Sequence, residues 1–427
     1  MIRTFSISNY LSISDKQELS FIAKGPTLGL ITKVADGTYL YKLGILFGAN
    51  ASGKSNMLSA INDVFRLLTI PNTDANAKIS SYQPFVLKKG EPTQASVSFY
   101  ANDIRYDYSV SYNETNILEE SLYYYPKKTK SLFYTRSYVG DNVQAEIKFG
   151  TSLHLQTKTQ ESIKENTLNN HSVLSVCLKN TFKDDILPFF SLHSYLHEHY
   201  HQVDGGVADR GIVEILKEAY ANKSKHKFFA QMLNKADLNI SDFRPVIIDR
   251  PITRSFRDSI QYEDIPVEVK EELLRQTVES VVFENHFNDQ VIDIPLKVQS
   301  KGTIKYIRIL DSLYDLISSS HVYFLDELGE DLHYDLLFYY LSVFLFNSDQ
   351  SQLLITSQET TLLSQDLVNE NRGCVWFVNK DFHGGSSEYS RGDSFGLHKN
   401  VSLYNAYHIG KIGGKPYLGS IFLDLEE

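Results

Sequence analysis

Two cysteines, Cys177 and Cys374, are all that the 427 residues contain, too few and too far apart for a disulfide framework or a thiolate zinc site. A reducing cytoplasm is therefore the expected setting. Long apolar runs are also missing. The longest, LLFYYLSVFLFNS at 336–348, falls well short of the ~20 residues of a membrane span and reads as a buried helix. The opening MIRTFSISNYLSISDK lacks the apolar stretch of a signal peptide, so no membrane association is expected. Positive charge is in deficit: the net charge of −10 excludes a uniformly basic nucleic-acid-binding body and leaves room only for a local basic face or channel. There is no internal repeat, no low-complexity linker and no sustained heptad pattern, which sets aside a long coiled-coil arm. What remains is an ordinary composition, 42% hydrophobic and 22% charged, sufficient for a sizeable core in two or three domains.

Up to about residue 150 the pattern is mostly that of strands. RTFSIS, ELSFIA, QASVSFYA, IRYDYSVSY, SLYYYP and QAEIKFG alternate, and turn signals such as YANDIR and YVGDN separate them into antiparallel hairpins. From about Glu161 to Glu284 helical periodicity takes over, as in DRGIVEILKEAYANKSKHKFFAQMLNKA, with a proline-interrupted passage at RPVIIDRPI. The last third returns to α/β alternation: a helix from Gly302 to Ser318, the strand HVYFLDE, a helix from Tyr334 to Phe346, and the strands QLLITS and CVWFVN. The expected organisation is α/β, with an N-terminal head segment over 1–155, a helical insertion lobe over 156–290 and a C-terminal head segment over 291–427.

The most specific chemistry lies at GILFGANASGKSN. A strand-like run, Leu43 to Phe47, breaks into a loop with the spacing Gly48-x-x-x-x-Gly53-Lys54-Ser55 and restarts as an amphipathic helix carrying Met57, Leu58, Ile61, Val64, Phe65 and Leu68. Gly48 and Gly53 let successive N–H groups converge and leave no Cβ in the way of a polyphosphate. Asn50 and Ser52 belong to the same loop, and Asn56 stands just behind it. Lys54 reaches the β/γ-phosphates, Ser55 offers a hydroxyl to Mg²⁺, and the helix N-terminus adds its positive end. A strand-to-helix turn that merely contains these residues is the structural alternative. ATP with Mg²⁺ is the expected ligand.

Such a loop needs a carboxylate for the metal and a base for water at the end of a buried strand. VYFLDE supplies both, with Asp326 for Mg²⁺ and Glu327 as general base, although a solvated strand end would also finish in acids. About 26 residues upstream of Asp326, VQSKGTIKYIRIL places Ser300 and Gly302 before a helix, either as an ordinary N-cap or as a second anion site.

Taken in order, these motifs resemble the ABC-type ATPases of the SMC/RecF/OLD group. Within it they are most similar to the compact abortive-infection ATPases, the AbiL-like proteins and the ATPase subunit of the PARIS anti-phage system. The resemblance rests on ISNYLSI, GANASGKSN, SKGTIKY, FLDELGEDLH, VWFVNKD and the closing IGKIGGKPYLG. It covers both ends of the chain, while the middle matches only in character. It implies an ABC/SMC-head-like fold with an antiparallel β subdomain and a helical insertion, ATP hydrolysis, and head-to-tail self-association in which Ser300 and Gly302 close over another subunit's loop. It further implies that Gln83, in SYQPFV, senses Mg²⁺ and the attacking water, with a plain surface glutamine next to Pro84 as the alternative. Where the family ends its next strand with a histidine, LLITSQET offers Gln358, which can donate a hydrogen bond to a γ-phosphate but cannot carry a proton. Slow turnover is expected. With about 70 residues after Gln358, mostly core strands and the closing motif, no TOPRIM nuclease is expected on this chain. The resemblance implies a sensor and scaffold controlling a separate effector, a nuclease, under a phage-encoded trigger. A RecF-like DNA-repair ATPase, with DNA as the ligand, is the rival; a non-hydrolysing nucleotide-bound scaffold is a third reading.

Two further stretches carry weaker signals. SLHSYLHEHYHQV spaces His193, His197 and His201 four apart, as on one helical face, which reads as a partly exposed helix in preference to a metal site. SLYYYPKKTKSLFYTR interleaves aromatic and basic residues and reads as a hairpin turning at Lys127, Lys128 and Lys130, with nucleic-acid contact as the alternative. KSKHK, at 223–227, reads as a solvated face.

Overall fold

A computed structural model of the chain describes residues 1–27, 29–140, 143–179, 186–203, 211–236, 238–249, 259, 266, 270, 277–288, 290–381, 383–398 and 400–416. It divides the chain into two units. The first takes Met1–Gly205, Leu316–Glu330 and Leu337–Glu427, and the second takes Gly206–Asp315 and Asp331–Leu336.

Along the first unit, β1 (Ile2–Ser8) and β2 (Gln17–Ser20) precede a short hairpin, β3 (Ile31–Lys33) and β4 (Tyr39–Tyr41). Then β5 (Leu43–Gly48) leads into α1 (Lys54–Thr69). The strands β6 (Thr93–Ala101), β7 (Ile104–Tyr112), β8 (Ile117–Tyr125), β9 (Ser131–Ser137) and β10 (Glu146–Phe149) follow, then α2 (Thr157–Asn166), α3 (Leu187–His199) and β11 (Tyr200–Val203). The second unit carries α4 (Ile212–Ala221), α5 (Lys223–Lys235), β12 (Ile240–Asp249), β13 (Thr277–Phe287), β14 (Gln290–Pro295) and most of α6 (Lys301–Ser318). The chain continues through β15 (Val322–Leu325), α7 (Tyr334–Asn347), β16 (Gln352–Ser357), α8 (Asp366–Glu370), β17 (Val375–Lys380), β18 (Ser387–Arg391) and α9 (Leu403–His408).

Besides the β3–β4 hairpin, two larger sheets build the first unit among the described residues. One is antiparallel with seven strands in the order β10-β9-β8-β7-β6-β1-β2, which is the hairpin array that the alternation predicts. The other has the order β11-β15-β16-β5-β17-β18, parallel except at β17–β18. All of β5, β15 and β16 is buried, which accounts for apolar runs in place of alternation. The helix α1 shares one core with both sheets: Met57, Leu58, Ile61, Val64, Phe65 and Leu68 are each at most 4% exposed. At about 1.5–3 kcal/mol for a fully buried side chain of this kind, this stripe fixes the helix behind its loop. Ile70 then turns extended ahead of Pro71, as the residue before a proline must, and the helix stops.

Three expectations need correction. The residues 157–199, assigned to the insertion lobe, belong to the first unit as α2 and α3, so the second unit begins near 206 and includes the start of α6. That unit is not wholly helical, because β12, β13 and β14 form an antiparallel sheet within it. Its period-2 signal is present in β13, where Val281, Phe283 and Asn285 are buried while their neighbours are more exposed. Pro245 is tolerated because, among the described residues, β12 pairs with β13 alone and so forms an edge of that sheet. Finally, the histidine helix ends at His199. Tyr200 is already extended (φ −114°, ψ 115°) and starts β11, so His201 stands on a strand and not on the face of His193 and His197. Residues 250–252 of the proline-interrupted passage and 417–419 of the closing motif lie outside the described residues.

Candidate nucleotide site

The strand β5 lies between β16 and β17, with Ser357 beside Phe47 and Val378 beside Gly48, while Leu325 of β15 pairs with Ile355. The glycine loop, the acidic pair and the end of β16 thus meet outside the carboxyl ends of adjacent parallel strands, where open α/β sheets place ligands. A cleft of about 790 Å³ opens there, lined among others by Asn50, Lys54, Ser55, Glu327, Gln358 and Lys380.

The loop is built so that side chains at its glycines are excluded. A Cβ on Gly48 would lie 2.6 Å from both Ser52 Oγ and Val378 O. Gly53 adopts φ +107°, in the left-handed region. Gly53 is also the N-cap of α1, with no side-chain capping bond and no acid in the first turn, which leaves the amide groups there to an anion. The Ser52 hydroxyl is buried without a hydrogen-bond partner among the described residues. Lys54, 6% exposed, folds back so that Nζ donates to Gly48 O at 2.8 Å and Ala49 O at 2.9 Å. Burial pushes its ammonium pKa below the ordinary lysine value, against the opposing pull of Glu327 and Asp326. This cradle fits a polyphosphate.

Ser55 Oγ donates to Asp326 Oδ1 at 3.0 Å. The two form an oxygen pair suited to Mg²⁺, which takes few protein ligands and completes its shell with phosphate oxygens and waters. Thr356, fully buried, ties the acids together: its hydroxyl donates to Asp326 Oδ1 at 2.5 Å and accepts from the Glu327 N–H at 2.7 Å, and its carbonyl accepts from the Leu328 N–H at 3.1 Å. Glu327 is held at φ +49°, a left-handed conformation that few non-glycine residues adopt. Gln358 Nε2 donates to Glu327 Oε1 at 3.4 Å.

A second strand pair braces the loop from behind. Ser387 Oγ donates to Ser52 O at 2.6 Å and lies 2.7 Å from Ser12 Oγ, Tyr389 OH donates to Gly53 O at 2.6 Å, and Asn56 Nδ2 donates to Ser12 Oγ at 2.7 Å. Asn56 is therefore engaged in bracing. Sequence alone gives Ser12, Ser387 and Tyr389 no role and marks Thr356 only as part of the strand end before Gln358; Thr356 and Ser387 stand at or near strand ends, Ser12 lies in the turn before β2 and Tyr389 is in the middle of β18.

Gln83 is not part of the lining. Its side chain is exposed, and its carbonyl accepts from the N–H of Leu11, next to Ser12. In the second unit, Ser300 caps α6, with Oγ accepting from the Thr303 N–H at 3.0 Å and lying 2.8 Å from Thr303 Oγ1. A Cβ on Gly302 would meet Asp331 O at 2.9 Å. His193 Nε2 lies 2.7 Å from Thr69 O in the core. No group of three or more His, Cys, Asp or Glu able to hold a metal occurs among the described residues, and none of the described helices is long and apolar enough to cross a membrane.

Residues 45–364 match the family model described as "AAA domain, putative AbiEii toxin, Type IV TA system". No curated protein matches the sequence. Among solved structures, the SMC head bound to the C-winged helix domain of ScpA is similar at 12% identity and a TM-score of 0.42, covering 95% of this chain and 99% of that one. The SMC head domain from Thermotoga maritima is similar at 12% and 0.39, covering 91% and 98%. The Smc head domain with an extended coiled coil, bound to the C-terminal domain of ScpA derived from Pyrococcus furiosus, is similar at 12% and 0.38, covering 96% and 98%. At these values no ligand or partner transfers from them.

Proposed function

The chain belongs to this AAA-domain family of AbiEii-type proteins, and from that premise we propose that it binds and hydrolyses ATP with Mg²⁺ and thereby controls a separate effector in an anti-phage, abortive-infection system. The observation that carries the nucleotide reading is the joining of Ser55 to Asp326 by a 3.0 Å hydrogen bond at the mouth of a complete glycine loop.

In this reading the Lys54 ammonium leaves the two loop carbonyls for the β/γ-phosphates, while the loop amides and the start of α1 take the remaining phosphate oxygens. Ser55 and Asp326 would hold magnesium, which when bound supplies charge neutralisation on the phosphate oxygens. Glu327 accepts the proton of the attacking water. The Thr356 hydroxyl keeps that carboxylate and Asp326 in register, and Gln358 orients Glu327 through its amide. Ser300 and Gly302 of one subunit close over the loop of another, so nucleotide occupancy controls assembly and assembly controls the effector. Phosphate release from ATP by the purified chain, abolished together with ATP binding in Lys54→Ala, tests the nucleotide reading; unchanged affinity in that variant would refute the site. Loss of phage protection in cells carrying the same variant tests the defence role, and undiminished protection would refute it.

The rival reading, a DNA-repair ATPase, leans on the basic and aromatic β8–β9 hairpin. There Lys130 already sits 4.0 Å over the Tyr123 ring, and from the neighbouring β7 Arg105 sits 4.4 Å over Tyr125 while pairing with Asp107 at 2.9 Å. Ring faces covered in this way favour a structural hairpin over a base-stacking platform.

A further inference from the structure

The nucleotide cleft contains a second lysine that the loop motif does not account for. Because β17 runs parallel to β5 with Val378 beside Gly48, its last two residues, Asn379 and Lys380, extend past the point where β5 bends into the glycine loop. The strand end there is held by one side-chain and one backbone hydrogen bond. Asn379 Oδ1 accepts from the Gly414 N–H at 2.5 Å, and the Asp381 N–H donates to Ser386 O at 2.8 Å. In the β17–β18 ladder Lys380 pairs with Ser387, the same serine that donates to Ser52 O. Lys380 is thus registered against the loop through one strand pair.

Its side chain is exposed and lines the cleft with Lys54 and Glu327, and its ammonium makes no ion pair or side-chain hydrogen bond among the described residues. The charge balance gives that free cation a use. Among the described residues the lining carries Glu327, Glu330 and Glu359, with Asp326 adjoining, against Lys54 and Lys380. The Lys54 ammonium is bonded to Gly48 O and Ala49 O. A triphosphate entering this acidic surround needs a second positive group, and a lysine on a fixed strand end can meet it at little ordering cost beyond its own rotamers.

We propose that Lys380 is a second phosphate-binding residue of this site, closing on the polyphosphate of a bound nucleoside triphosphate from the β17 side, opposite the acidic pair across β5. The inference rests on the nucleotide reading above. For a charge-assisted contact, about tenfold to a hundredfold in affinity is expected.

The test is equilibrium binding of a fluorescent ATP analogue and of ATP, by titration and by ATP-induced thermal shift, to the full chain and to Lys380→Ala and Lys380→Arg at low and high salt. Lys380→Ala should melt like the parent without nucleotide, bind ATP about tenfold to a hundredfold more weakly, show a smaller ATP-induced shift and lose part of the salt dependence. Lys380→Arg should bind within a few-fold of the parent. If the parent binds and Lys380→Ala binds equally well, the proposal is overturned while the site stands. Equal losses in the alanine and arginine variants would also overturn it, because the charge would not be the cause. A parent that binds no ATP would remove the underlying reading and this one with it.

Discussion

Replacing Thr356 by valine keeps the shape of a fully buried side chain and removes a hydroxyl that serves both acids. Two interactions go: a donated bond to a carboxylate, with a net value of about 1.5–3 kcal/mol, and an accepted bond from a backbone N–H, about 1 kcal/mol. The second matters for more than its own strength. Glu327 is held at φ +49°, a conformation that costs of order 1–3 kcal/mol and persists only when its surroundings enforce it. Without the threonine hydroxyl the backbone can relax and carry the carboxylate away from the water position. If about 1.5–3 kcal/mol of that positioning is lost in the transition state, hydrolysis slows by roughly tenfold to 150-fold. ATP binding should change by only a few-fold, since Lys54 and the loop amides are untouched. Single-turnover hydrolysis beside a direct binding titration separates the two effects. Thr356→Ser, which keeps the hydroxyl, should recover most of the rate. A valine variant that hydrolyses at the parental rate, or a serine variant as slow as valine, would refute the positioning role.

Glu327→Gln should retain ATP and stop its hydrolysis, because the amide keeps the shape and cannot accept the water proton; parental turnover in this variant would remove Glu327 from the role of base. Gln358→His should raise single-turnover hydrolysis and Gln358→Ala lower it, by up to about a hundredfold, and if both match the parent then the 3.4 Å contact to Glu327 has no part in the reaction. His321 predicts a pH effect on stability: burial, with His201 and His199 nearby, lowers its pKa from 6.5 to about 4. Between those values the unfolded chain binds the extra proton, so stability rises with pH across the window and is lost as pH falls through it. The midpoint of urea unfolding should drop from pH 7 to pH 5 by less in His321→Asn than in the parent, and equal drops would count against this source.

The sequence makes legible the chemistry that is confined to a short stretch. Gly48, Gly53, Lys54 and Ser55 work through their spacing along one loop, and Asp326 and Glu327 follow an apolar run, so both groups announce themselves locally. The groups that hold them do not. Thr356 meets Asp326 only through the register of β15 on β16, and Ser387 meets Ser52 across a separation of 335 residues. Nothing in a serine or threonine states which strand end it will face. The β11 strand was hidden for a related reason: His193, His197 and His201 satisfy a four-residue spacing whether or not the helix continues, and pairing with β15 is what ends it. In β12, Pro245 reads as an interruption of the pattern, and it is accommodated because β12 is an edge strand among the described residues.

The 335-residue reach of Ser387 also has a meaning in time. Of the parallel strands, β5 is made first, yet its two neighbours β16 and β17 arrive after residue 350. At about 5–20 residues per second of synthesis, the glycine loop leaves the ribosome roughly 20–70 s before the hairpin that braces it. Through that interval an apolar strand waits without partners, exposed to the misassembly that such long-range pairing invites. Competence to bind nucleotide therefore arrives late and all at once, and a nascent or clipped chain lacking β17 and β18 would carry the whole loop motif without a usable site.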